Sequence, residues 1–185
     1  MKTLVRIIKL ITLSAIAMAV MAGNCAAAET AQMKKKAAML PILSSNDPLT
    51  AKYVTSSLEK CLQERKGFAF VPKEEIEQAV AAGGYDLTKI FGLSKDEYSA
   101  LGKTLKADYV MHGIVAIRKS LKFTGWRKDV DVYIKLYDGK TGESLDSWRS
   151  ITDFSFTDVT TETDAQKMAA SVTDHICGKM SQSEF

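Results

Sequence analysis

Two histidines, three cysteines and a scatter of carboxylates are the side chains here with the chemistry for catalysis or metal binding. His112 and His175 are far apart, and no C-x-x-C or H-x-x-x-H spacing puts two metal ligands on one turn or helix face. His112 lies in the run Val110-Met111-His112-Gly113-Ile114 and reads as a half-buried histidine satisfied by a neighbour. His175 falls on the polar side of a C-terminal helix. It cannot activate Cys177, because residues two apart on a helix do not face each other. No G-x-S-x-G elbow occurs. Gly83-Gly84 follows a helix instead of leading a strand into a helix N-terminus, so it is no phosphate loop. Asp129 and Asp131 share one face of a strand and read as a solvated face rather than an acid–base pair. The sequence therefore assigns no catalytic, cofactor-binding or metal-binding residue and calls for no cofactor.

One stretch offers recognition instead. Residues 118–128 join two strands and hold Arg118, Lys119, Lys122, Arg127 and Lys128, with Phe123 and Trp126 interleaved. Trp and Arg are over-represented among binding hot spots, which makes Phe123, Trp126, Arg127 and Lys128 a candidate interaction hairpin. Contact with an anionic polymer or a lipid surface fits the same residues. So does a solvated hairpin whose aromatics fold back on the sheet.

The 185 residues carry a net charge of +3, but Lys2, Arg6 and Lys9 precede the first acid, Glu29. Without those three, 22 basic residues stand against 22 acidic, which argues against a nucleic-acid binder selected by overall charge. The three charges open a secretory leader. Leu10 to Ala22 is its apolar stretch, and Ala26-Ala27-Ala28 its small-residue site, predicting cleavage before Glu29. The alternatives are a retained anchor, for which the run is short of the roughly 20 residues a bilayer needs, and lipidation at Cys25, which Asn24 fits poorly. The expected compartment is the periplasm, or the outer membrane if Cys25 is lipidated, and membrane contact follows only in that case. Cys61 and Cys177 then remain in an oxidising compartment, as a disulfide or as two separately buried thiols.

These residues need elements to position them. Lys36–Leu43 predicts a short buried strand; Asp47-Pro48 starts a helix that Gly67 ends. Phe68–Val71 predicts a second strand and Pro72 opens a helix stopped by Gly83-Gly84. Ser94 and Glu97 form a capping box ahead of the next helix. Asp108–Arg118, the period-two run Val130–Tyr137 and Leu145–Phe156 are strands of a meander, and Thr161–Met180 is a closing helix. The predicted fold is α/β (α+β), with one mixed sheet of four or five strands flanked by helices in the order β-α-β-α-α-β-β-β-α. The expected organisation is a signal peptide at 1–28, a flexible N-terminus at 29–35, a single domain at 36–181 and a tail at 182–185.

With the elements in order, several segments resemble their counterparts in a known envelope superfamily. Ala37–Leu62, Phe68–Val80, Leu101-Gly102-Lys103 through Ala107-Asp108-Tyr109-Val110 to Gly113, and the hairpin Asp138–Leu145 are similar to the superfamily of the curli-secretion lipoprotein CsgG, the lipoprotein activators of penicillin-binding proteins and the TolB N-terminal domain. The short strand connections leave little room for the membrane-spanning hairpins of the curli exporter, and no propeller domain follows as in TolB. The resemblance implies a non-catalytic envelope accessory domain that works by binding an envelope protein partner, with oligomerisation open. A periplasmic small-ligand-binding or enzymatic domain is the alternative, and a subunit of a secretion or flagellar envelope assembly is a third.

Overall fold

A computed structural model describes residues 34–44, 47–88, 92–122, 125–155 and 162–183. Residues 1–28, Cys25 among them, and Phe123 lie outside the described residues, as do most of 29–35 and the last two residues of the chain. The elements are β1 (Lys36–Met39), β2 (Leu43–Ser44), α1 (Pro48–Lys66), β3 (Ala69–Phe70), α2 (Lys73–Gly83), α3 (Lys95–Leu105), β4 (Tyr109–Lys122), β5 (Gly125–Asp138), β6 (Ser144–Ser155) and α4 (Glu162–Gln182). The mixed sheet runs β3-β1-β4-β5-β6, with β2 paired to β4 off that path. The β1–β3 and β1–β4 pairs are parallel and the meander is antiparallel, so the fold is the mixed α+β one that the sequence predicts.

Local chemistry sets the helix ends. Asp47 caps α1 by accepting from the Thr50 N–H at 3.0 Å, Pro48 occupies the first turn, and Gly67 closes it at φ +66°. At α3 the Ser94 hydroxyl and the Glu97 carboxylate satisfy each other's backbone N–H groups. The first strand departs from expectation. Lys36–Leu43 is split in two, because Pro41 has no N–H to give a ladder. β1 registers on Tyr109–Met111, and β2 resumes further along at Ile114–Val115.

Two cores lie on opposite faces of the sheet. On one, Val130, Val132, Ile134 and Leu136 of β5 meet Val54 and Leu58 of α1 and Met168, Val172 and Ile176 of α4. Each such side chain contributes about 1.5–3 kcal/mol on burial. On the other, Val110 and Tyr137 meet Ile76 of α2 and Tyr98, Leu101 and Leu105 of α3. Cys61 on α1 and Cys177 on α4 are joined as a disulfide with a Cα–Cα distance of 6.5 Å.

The motif residues are architectural. A Cβ on Gly102 would lie 2.5 Å from the Gly139 Cα, so α3 and the β5–β6 turn touch backbone to backbone. Asp108 accepts from the Lys36 N–H at 2.9 Å and ties β1 to the start of β4. Asp138 accepts from the Thr141 and Lys140 N–H groups at 2.7 and 2.8 Å, and those two bonds, Thr141's foremost, hold its carboxyl below the ordinary range. Gly113 sits under Ile134, where a Cβ would also meet the Tyr133 carbonyl oxygen at 3.0 Å.

Candidate interaction surface

Side chains alternate along the meander, so one set of residues shares the face carrying the smaller core. From β4 these are Val110, His112, Ile114, Ala116 and Arg118; from β5, Tyr137, Lys135, Tyr133, Asp131 and Asp129; from β6, Ser147, Arg149, Ile151 and Asp153. Among the described residues, helices α2 and α3 cover the end at Val110, Tyr137 and His112, where the smaller core lies. Beyond it, Ile114, Ala116 and Tyr133 are half-buried and Ile151 is 61% exposed. The result is a partly apolar sheet face that, among the described residues, no helix covers over its far half.

Ion pairs thread this face. Arg149 grips Asp131 with two bonds, Nε to Oδ1 at 2.9 Å and Nη2 to Oδ2 at 2.5 Å, and holds that carboxyl below its ordinary value. Arg127 bonds Asp153 at 2.5 Å, and Arg118 stands across the ladder from Asp129. The structure describes the surroundings of two residues of the candidate hairpin. Arg127 is committed to Asp153, and Lys128 is only 3% exposed, so neither offers a free surface cation. Arg118 and Lys119 are exposed. Trp126 is placed in register with Leu121.

His112 is fully buried, deeper than the half-buried position expected of it. Its Nδ1 lies 2.8 Å from the Tyr98 hydroxyl, and Tyr98 stacks on Tyr137 with ring centroids 3.7 Å apart. Burial pushes its pKa down from 6.5 to about 4. The folded chain therefore refuses a proton that the unfolded chain accepts near pH 6.5. Stability is fully present above about pH 6.5 and falls as the pH drops toward 4, by on the order of 3 kcal/mol. Urea titrations of wild type and His112→Gln from pH 7 to 4.5 should show this slope in the first and a flatter profile in the second; parallel profiles would refute the assignment. Glu59, whose pKa burial raises, acts in the opposite sense in both proteins and cancels in the comparison.

A concavity of about 350 Å³ lies between α1 and α2, lined by Met39, Pro41, Ile42 and Ile76 with Lys52, Glu59 and Lys73. His175 is exposed on α4, and Cys177 is buried in its bond to Cys61, so structure and sequence agree that the two do not pair. Among the described residues no group of three or more His, Cys, Asp or Glu is placed to hold a metal ion, and no helix is long and apolar enough to cross a membrane. The sequence did not reveal the Tyr98–His112–Tyr137 stack or the lining of the cleft, whose members come from separate elements.

The class that emerges is a mixed α+β domain with helices on both faces of the sheet and, among the described residues, a half-face on its antiparallel side that no helix covers. Lipoprotein GNA1162 from Neisseria meningitidis has this fold: TM-score 0.56 at 16% identity, over 78% of this chain and 99% of that one. The PelC dodecamer of Paraburkholderia phytofirmans matches with TM-score 0.50 at 16% identity, over 82% and 90%. The hypothetical protein CT253 of Chlamydia trachomatis matches with TM-score 0.50 at 12% identity, over 80% and 96%. At such identities the likeness is one of fold. No protein-family model matches the chain, and no curated protein matches it in sequence.

Proposed function

We propose that the chain is an exported, non-catalytic accessory protein of the bacterial cell envelope that acts by binding another envelope protein. The observation that carries this reading is the half-face of the meander that no described helix covers, where Ile114, Ala116, Tyr133 and Ile151 face outward among paired charges. A surface of apolar positions rimmed by satisfied ion pairs suits a protein partner better than a small molecule. The fold shared with a bacterial lipoprotein supports an envelope setting. The reading includes membership of the CsgG, penicillin-binding-protein-activator and TolB N-terminal superfamily, a leader at 1–28 and a periplasmic mature chain.

A photo-crosslinking residue at Ala116 should capture one defined envelope protein in intact cells, while the same residue at exposed Lys60 on α1 should not. Tyr133→Ala should reduce that capture several-fold without altering the far-ultraviolet dichroism. Equal capture from both positions, or none from Ala116, would count against the surface. The cleft between α1 and α2 favours a second reading, a small-ligand site with Lys52 and Lys73 in its lining.

A further inference from the structure

Strand β6 is the outermost strand of the meander; β5 pairs with it on one side, and among the described residues no strand pairs on the other. It is 12 residues long and contains neither proline nor lysine, two residues that commonly blunt an edge. Its irregularity, opposite Leu136/Tyr137, is confined to the Ser144 end. The edge from Ser147 to Ser155 is regular.

We propose that this edge pairs antiparallel with the β6 of a second copy, in a register centred on Ile151. A two-fold axis normal to the sheet keeps each side chain on its own face, so only registers centred on a residue are allowed. The charges choose among them. Centred on Arg149, the register opposes two arginines; centred on Asp153, two aspartates. Centred on Ser150 it faces Arg149 with Ile151, and centred on Thr152 it faces Ile151 with Asp153. Centred on Ile151, Ile151 meets Ile151, each Arg149 meets the second copy's Asp153, and Ser147 meets Ser155. The opposite face matches in the same register: Ser150 meets Thr152 and Trp148 meets Phe154.

The chain's own charges support this choice. Within one copy Asp153 stands directly across from Asp129, with Arg127 bonded to Asp153 and Arg118 across from Asp129, so two acids and two cations share this end of the face. The row runs Arg118, Asp129, Asp153 from β4 to β6, and the second copy's Arg149 would continue it with a cation on the acidic side. Ile151, 61% exposed in one copy, would gain an apolar neighbour on its own face. This pairing goes beyond the partner-binding reading and does not depend on it.

Sedimentation velocity over a concentration series tests the proposal. Wild type should reach a dimer, and Ile151→Lys and Arg149→Asp should stay monomeric across the same range. The exchange R149D/D153R restores opposite charges only in the proposed register and should recover the dimer. A single Ile151→Cys should form a self-linked dimer on mild oxidation, because directly paired Cα atoms lie about 4.5–5.5 Å apart, within disulfide range. Ser147→Cys should not. A monomeric wild type, an oligomer that survives Ile151→Lys, a charge exchange that fails to recover the dimer, or equal linking at 147 and 151 would each overturn it. The cysteine variants keep the test decisive should the charge variants fail to fold.

Discussion

Reducing the Cys61–Cys177 bond, or replacing both cysteines by Ala, is expected to lower the unfolding free energy by about 3–5 kcal/mol. The two residues are 116 apart in sequence, so the bond removes the entropy of a very long loop from the unfolded chain. In the folded state it fastens α1 to α4, which already share one core and the exposed ion pair Arg65–Asp174. Breaking it therefore loosens no single contact but widens the ensemble the chain must leave to fold. A domain of this size has on the order of 5–15 kcal/mol in hand. Guanidinium titrations with and without reductant read the effect. The wild-type midpoint should fall on reduction to that of C61A/C177A, and the double variant should ignore the reductant. A wild-type midpoint that ignores the reductant would mean two separate buried thiols.

Gly102→Ala should destabilise the chain by about 2–4 kcal/mol, although alanine is intrinsically the better helix former by about 1 kcal/mol. The added methyl would strike the Gly139 backbone: its carbonyl oxygen, its Cα at 2.5 Å and its carbonyl carbon at 2.7 Å. The turn has no freedom to retreat. The Gly139 N–H donates to the Asp108 carbonyl at 2.8 Å, and the Ser99 hydroxyl donates to the Lys140 carbonyl at 2.6 Å. Gly178 provides the contrast. It lies in α4 with nothing within 4 Å of where a Cβ would be, so Gly178→Ala should stabilise by about 0.5–1 kcal/mol. Thermal melts of the two variants should move in opposite directions; movement in the same direction would show that the helix term, not the backbone contact, decides.

How much of this could be read in advance depends on the range of the interaction. Helix limits were legible because caps are local: Asp47, Gly67, Ser94 and Glu97 act within a turn of their own position. The alternation from Val130 to Tyr137 announced a strand with two unlike faces. The interruption at Pro41 is equally local in cause, yet its result, two short strands registering at different heights on β4, depends on a partner more than sixty residues away. The partners of the basic residues in 118–128 were hidden for the same reason. The acid that occupies Arg127 comes from β6, 26 residues further on, and no window along the chain brings them together. The candidate face was half legible. Period two says which residues share it, but only the packing of α2 and α3 decides where cover ends and exposure begins.

The meander is held like a cantilever. Its root is the Asp138–Glu143 turn, wedged against α3 through Gly102, Gly142 and the Lys95–Glu143 pair, while its strands run out past the reach of that helix. Tension from a molecule bound at the outer end would pass down the strand axes to that root. There it would meet backbone pressed on backbone rather than side chains that can yield.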